Sequence, residues 1–226
     1  MEKDRFIDCL RKGIAQLGPE LDLTVTKEAE ERLFLYFREL TVWRHGMNLI
    51  AKQMNDEEII EKHFLDSLVI TALLKEEPCH LLDIGTGAGF PGLVVKAACP
   101  EVEVTLVEPR AKRVTFLRHV VMTLDLQDIT IVGCRAEDEK QLPAATGYSH
   151  VTSRAVTNIG DFLRMVGRFA EHGATVLCMK GPRWQEELDD AARQGLLAGY
   201  QKNKTLRCRL PRSGAERVVL VLRRDS

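Results

Sequence analysis

The chemistry legible in this chain rests on two acids, a set of alternating glycines and two cations. Asp83 sits near the exit of a short apolar run of Leu81, Leu82 and Ile84. Gly85, Gly87 and Gly89 alternate directly after it, and Phe90-Pro91-Gly92 follows. Glycines let a backbone take positive φ and lie close against a ligand. Three in alternation cost too much backbone entropy for a plain turn. The stretch Leu81–Gly92 therefore reads as strand, glycine turn and helix start, the ligand-binding edge of an α/β sheet. Two frames fit it. Gly87-x-Gly89-x-x-Gly92 satisfies the dinucleotide pattern, in which a pyrophosphate rests on the helix N-terminus. Counted from Asp83, the pattern is Asp-x-Gly-x-Gly-x-Gly, whose carboxylate repels a pyrophosphate and suits an amino-acid ammonium group. Glu108 lies 25 residues beyond Asp83, near the spacing of an acid that accepts from ribose hydroxyls. Arg154 and Lys180 close two later strand-like runs. Arginine's fork of donors suits a carboxylate, a phosphate or a base carbonyl.

These residues need an alternating α/β scaffold. Val102–Val107, Ile129–Val132, Tyr148–Thr152 and Ala174–Met179 read as strands following the first. A helix runs through Phe116, Leu117, Val120, Val121 and Leu124, and another over Trp184–Leu197. Leu206–Leu210 and Val218–Leu222 read as an antiparallel hairpin closing the sheet around Pro211–Gly214. The turn Gly133–Asp138 follows the third strand and brings Ala136 and Glu137 to the same edge. Residues 1–75 read as helical and form an extension packed on a core of residues 76–226. Phe6, Leu10, Ile14 and Leu17 mark its first helix, stopped by Gly18-Pro19. A second starts after Thr26 with Ala29, Leu33, Phe37 and Leu40 as its stripe. A third starts at Asn55, whose pairing with Glu58 predicts a capping box. Asp66 and Ser67 are poor mid-helix residues, and His63 shares their face. A bridge from this helix to the glycine turn would account for them. The Trp43–Leu49 junction reads as an interhelical loop packed by Trp43.

Composition narrows the classes. The chain has 226 residues with 32 Lys/Arg and 33 Asp/Glu, a formal net charge of −1. Nothing in that total announces a nucleic-acid binder. The charge is unevenly spread, however. Residues 200–226 hold eight Lys/Arg against two Asp/Glu, and Arg110, Lys112, Arg113 and Arg118 cluster near the sheet's carboxyl edge, suited to phosphates. The six cysteines form no C-x-x-C pair, which favours free thiols and a cytoplasmic setting over a zinc site or disulfide scaffold. No run reads as a signal peptide or membrane span. No coiled-coil signal is present, and a monomer is the default expectation.

In this order the motifs resemble the bacterial small-subunit ribosomal RNA guanine-N7 methyltransferase family, also called glucose-inhibited division protein B. Asn48-Leu49, His63–Leu68, LLDIGTGAGFPG, Glu108-Pro109-Arg110, Lys112-Arg113, Phe116-Leu117-Arg118, Arg135-Ala136-Glu137, Ser153-Arg154-Ala155 and Lys180-Gly181 carry the resemblance across nearly the whole chain. Ile50 and Ala111 stand where members often have threonine and glycine. The resemblance implies a Rossmann-like class I methyltransferase sheet, mostly parallel with an antiparallel C-terminal strand. It implies S-adenosyl-L-methionine as methyl donor, S-adenosylhomocysteine as product, no metal, and N7 of a guanine in the decoding-region loop of 16S ribosomal RNA as acceptor. Asp83, Gly85, Gly87, Gly89, Phe90, Glu108, Ala136, Glu137 and Arg154 are the expected cofactor residues. Asn48, Arg110, Lys112, Arg113, Arg118 and Lys180 are expected on the RNA side, with Arg154 and Lys180 nearest the transfer. A nicotinamide oxidoreductase using the overlapping glycine frame and a non-enzymatic RNA-binding protein are the alternatives.

Overall fold

Hydrophobic runs that are apolar throughout, rather than alternating, form the middle of the sheet, because helices cover both faces. A computed structural model describes residues 1–18, 21–75, 78–154 and 157–225. The Pro19 helix stop, Ala155 after Arg154, and Glu76 at the expected 75/76 boundary lie outside the described residues. Among the described residues seven strands form one sheet: β1 (His80–Ile84), β2 (Glu103–Val107), β3 (Ile129–Val132), β4 (His150–Arg154), β5 (Thr175–Lys180), β6 (Tyr200–Arg209) and β7 (Glu216–Arg224). Their order is β3-β2-β1-β4-β5-β7-β6. The first five are parallel, and β7 runs antiparallel to both β5 and β6. The order reverses between β1 and β4, which opens a crevice at their carboxyl ends.

One face of the sheet carries α5 (Gly92–Ala98) and α6 (Ala111–Thr123), and the other carries α7 (Ile159–Glu171) and α8 (Trp184–Arg193). The N-terminal helices α1 (Lys3–Leu17) and α2 (Lys27–Trp43) join the first face. Phe6, Leu10, Leu33 and Phe37 share one continuous core with Leu93, Val95, Phe116 and Leu117. Thr26 caps α2 by accepting from the Ala29 N–H, and Trp43 ends α2 against Phe116 and His119.

The third predicted helix departs from expectation. The Asn55/Glu58 capping box is present and starts a short α-helical turn, α3 (Asp56–Ile59). The chain then widens into a π-helical segment, Ile60–Leu65, before a second short turn, α4 (Asp66–Leu68), and a 3-10 stretch, Val69–Leu73. The Ser67 hydroxyl bonds back to the His63 carbonyl at 2.6 Å, the competition that Ser brings to a helix interior. A π turn inside a helix commonly marks a functional site, and this one carries His63. The strand bearing Arg154 starts two residues later than the pattern suggested, at His150 rather than Tyr148. Helix α7 was absent from the pattern reading, although Asn158 caps it and Ile159, Phe162, Leu163, Val166, Phe169 and Ala170 bury one face.

Candidate functional site

The glycine turn at the end of β1 is held from below, from the side and from above. Below it lies Asp83, fully buried. Its Oδ2 accepts from the Thr86 hydroxyl at 2.6 Å and the Gly92 N–H at 2.8 Å. Burial pushes the Asp83 carboxyl up to about 6, against the lowering effect of those two hydrogen bonds. Asp83 therefore braces the turn through Oδ2, while its buried Oδ1 has no partner among the described residues. Gly92 is required by space: a Cβ there would lie 2.5 Å from Leu106 Cδ2 and 2.9 Å from Asp83 Oδ2. Gly89 likewise packs inward, since its Cβ would meet Leu93 and the Tyr36 hydroxyl at 2.8 Å. Gly87 differs. Its φ is +64°, and a Cβ would meet only the Arg113 guanidinium at 3.6 Å and the Gly85 carbonyl at 3.9 Å.

From above, the N-terminal extension reaches down to the turn. The buried Tyr36 hydroxyl donates to the Ala88 carbonyl at 2.5 Å, and its ring stacks on Phe90 with centroids 5.4 Å apart. Tyr36 adjoins Phe37 of the α2 stripe. Its phenol now fixes one peptide of the turn. Tyr36→Phe leaves that carbonyl unpaired and is expected to destabilise the fold by about 1 kcal/mol. Urea unfolding reads the effect, and a variant as stable as wild type would leave the hydroxyl without a holding role.

At the side, Glu108 at the end of β2 is 3% exposed. Its Oε2 accepts from the Gly87 N–H at 3.0 Å and its Oε1 from the Arg110 N–H at 2.9 Å. Arg113 lies 3.5 Å from Oε2 and donates to the Asn48 carbonyl at 3.2 Å. A cleft of about 420 Å³ is lined by Gly85, Gly87, Phe90, Glu108, Arg110 and Arg113, with Leu49, Ile50, His63 and Arg154 among its other walls. Arg113, expected on the RNA side, thus belongs to the cleft beside Glu108. Asn48 is exposed and contributes its carbonyl. Lys112 and Arg118 are exposed on α6. Ala136 and Glu137 line neither this cleft nor the cavity beside it. The Ala136 carbonyl accepts from Arg168 on α7 at 2.7 Å, and Glu137 is exposed.

Beyond the cleft lies a second cavity of about 630 Å³, lined by Lys62, Asp66, Asn158, Lys180, Arg183 and Arg217 among others. His63 and Arg154 line both spaces. Arg154 spends its donors on the π-helical segment. Nη1 donates to the Lys62 carbonyl at 2.6 Å and pairs with Asp66 Oδ2 at 3.2 Å, and Nη2 donates to His63 Nδ1 at 2.8 Å. Its guanidinium lies 5.0 Å from the Phe90 ring centroid. Asp66 Oδ1 also accepts from Arg217 on β7 at 2.9 Å. The expected bridge from His63 and Asp66 to the glycine turn is this network, completed by the His63 ring stacked on Phe90 at 4.8 Å. Lys180 is similarly engaged: Nζ donates to the Thr157 carbonyl at 2.5 Å and pairs with Glu187 at 3.0 Å. The buried Glu61 accepts from the Arg212 and Ser213 N–H groups, tying the β6–β7 turn to the same segment.

Burial, Arg154 and Lys62 hold His63 down at about 3. The unfolded chain protonates this histidine near its ordinary value while the folded one does not, so His63 erodes stability as pH falls below about 6.5. Asp83 works oppositely, because the folded state takes its proton first, between about 6 and the ordinary carboxyl value. Each contributes about 2 kcal/mol between pH 6.5 and 4.5, with opposite sign. His63→Gln removes the first and keeps the second. The variant is expected to gain about 2 kcal/mol on wild type over that interval, by urea unfolding at both pH values. Parallel pH profiles would contradict a buried neutral His63.

The sequence comparisons lead to one family. A family model described as rRNA small subunit methyltransferase G matches residues 29–214. The chain is 50% identical over 218 residues to the ribosomal RNA small subunit methyltransferase G of Desulfotalea psychrophila, covering 96% of this chain and 98% of that one. It is 35% identical over 226 residues to the protein of the same name from Myxococcus xanthus, with 100% of both chains covered. Among solved structures, a METTL16 methyltransferase domain matches with TM-score 0.55 at 16% identity, over 86% of this chain and 97% of that one. A ribosomal protein L11 methylase from Lactobacillus delbrueckii subsp. bulgaricus matches with TM-score 0.53 at 12% identity, over 73% and 79%. At these identities the two structures establish the fold alone, a Rossmann-like class I methyltransferase sheet preceded here by N-terminal helices. The family model and the two curated relatives go further and set aside the oxidoreductase and the non-enzymatic readings: the chain belongs to the rRNA small subunit methyltransferase G family.

Proposed function

We propose that the chain transfers a methyl group from S-adenosylmethionine to N7 of a guanine in the decoding-region loop of 16S ribosomal RNA, releasing S-adenosylhomocysteine and using no metal. In this reading it works as a monomer in the cytoplasm, on a small subunit or an assembly intermediate. The observation that carries the proposal is the Glu108 cleft, joined at His63 and Arg154 to a second cavity large enough for a base. The cleft's donor set fits the cofactor. Glu108 is a buried carboxylate beside the Gly87 backbone, suited to ribose hydroxyls. Gly87 keeps the flank of the turn open, and Phe90 offers an apolar wall.

Bound there, S-adenosylmethionine supplies a methyl group made electrophilic by its sulfonium charge. Guanine N7 carries a lone pair and no proton, so no residue has to act as a base. His63, held near 3, is a poor base at neutral pH in any case. The chain's contribution is alignment. Two of the three arginines lining the cleft are matched by acids, Arg113 by Glu108 and Arg154 by Asp66, which limits repulsion of a positive sulfonium. Arg110 lines the cleft, Lys112 and Arg118 are exposed on α6, and all three suit RNA phosphates. The double variant Lys112→Glu, Arg118→Glu is expected to lower RNA affinity about tenfold in moderate salt and to flatten its salt dependence. Cofactor affinity is expected to stay as in wild type. An RNA affinity equal to wild type across a salt series would remove the two residues from the interface.

The reaction is tested with methyl-labelled cofactor and small subunits lacking the modification. The RNA is digested and compared by mass spectrometry with N7-, N1-, N2- and O6-methylguanosine. Label in N7-methylguanosine supports the proposal, and label at another position or in protein overturns it.

A further inference from the structure

Transfer to N7 leaves one question of recognition open. Adenine also carries a nucleophilic N7, so the site must read the neighbouring position to choose guanine. Guanine presents the O6 acceptor beside N7, whereas adenine presents an amino donor there.

His63 stands where that choice would be made. It and Arg154 form the wall common to the cofactor cleft and the second cavity. The ring is fixed by its stack on Phe90, at 4.8 Å and 26°. Arg154 Nη2 lies 2.8 Å from His63 Nδ1. An arginine nitrogen can only donate, so Nδ1 is the acceptor and the ring proton sits on Nε2. Nε2 is buried and has no partner among the described residues. A buried donor left unpaired costs free energy that a ligand acceptor can recover.

We propose that His63 is a specificity-determining residue, whose Nε2–H donates to O6 of the target guanine seated in the second cavity with N7 turned to the cofactor cleft. The inference rests on the N7-transfer reading above. A neutral donor suits the reaction, because N7 gains positive charge as the new bond forms and a cation in contact with the base would oppose it. Arg154 supplies the fixed tautomer from behind, with its own charge matched by Asp66. Adenine would set its amino donor against the Nε2–H, a donor facing a donor, which is selection by penalty.

The test replaces the mapped target guanine in reconstituted small subunits by 2-aminopurine, which keeps N7 and loses O6, or by adenine. Wild type is expected to transfer to guanine about tenfold faster than to 2-aminopurine, judged by kcat/KM, and slower still to adenine. His63→Phe keeps a ring to stack on Phe90 and loses the donor. Its guanine rate is expected to fall about tenfold, bringing guanine and 2-aminopurine within about twofold. His63→Gln, which restores a donor, is expected to recover part of the preference. Equal wild-type rates on guanine and 2-aminopurine would overturn the role of His63 while leaving N7 transfer intact, and this comparison needs no variant to fold. Full preference retained by His63→Phe would overturn it equally. Absence of N7 label on guanine itself would instead overturn the underlying reaction.

Discussion

Replacing Glu108 by alanine is expected to weaken S-adenosylmethionine binding about 30-fold or more, with the fold retained. Hydrogen bonds to a charged group contribute about 1.5–3 kcal/mol, and every 1.4 kcal/mol is tenfold in affinity. Glu108 organises as well as binds. Its two oxygens hold the Gly87 and Arg110 N–H groups at 3.0 and 2.9 Å, which sets the turn and the start of α6 against each other. Arg113 beside it would also lose its acid. An uncompensated arginine at the mouth of a site for a cationic sulfonium adds a repulsive contribution to the lost hydrogen bonds. Glu108→Gln keeps the shape and one acceptor oxygen but turns an amide donor toward a backbone N–H, so it should fall between wild type and alanine. Titration calorimetry with S-adenosylmethionine and S-adenosylhomocysteine separates the two contributions. Charge repulsion weakens only the first ligand, because the product lacks the sulfonium, whereas lost ribose contacts weaken both. Unchanged affinity for both would take Glu108 out of the cofactor site.

The sequence carried the parts of this site that follow from local chemistry. The glycine turn, Glu108 at its spacing, the Asn55/Glu58 capping box and the parallel strands each have a signature within a few residues. Roles that depend on what packs against a residue were not legible. Nothing in the sequence says that Thr86 and Gly92 donate to Asp83. Gly89 looked like Gly87 until Tyr36 was seen to occupy the space above it. Arg154 and Lys180 were rightly brought to the carboxyl edge, but their donors are already engaged by the π-helical segment and by Thr157 and Glu187. The π-helical segment itself was signalled only by residues ill-suited to a plain helix, Asp66 and Ser67. Helix α7 is a different case. Its Asn158 cap and its apolar periodicity were present to be read.

Arg154→Ala is expected to lower methyl transfer about 100-fold at saturating cofactor and RNA while leaving the protein folded. The fold survives because Asp66 keeps Arg217 at 2.9 Å after Arg154 is gone. A buried acid stripped of every partner would be far costlier, about 3–5 kcal/mol. What Arg154 alone provides is simultaneous contact with the Lys62 carbonyl, Asp66 and His63 Nδ1. Without it the His63 proton is free to move to Nδ1, and the wall between cleft and cavity loses the cation packed over Phe90. Arg154→Lys retains charge but presents a single ammonium, which cannot span three acceptors held by a planar fork. It is expected to recover Asp66 pairing and stability without recovering transfer. The double variant Arg154→Ala, His63→Phe discriminates the route of action. If Arg154 works through the His63 ring, the double variant transfers about as slowly as Arg154→Ala alone, the non-additivity of two residues acting as one unit. If instead Arg154 holds RNA directly, the two losses multiply. Near-normal turnover in Arg154→Ala would return the residue to a purely bracing role and leave the methyl-transfer assignment standing.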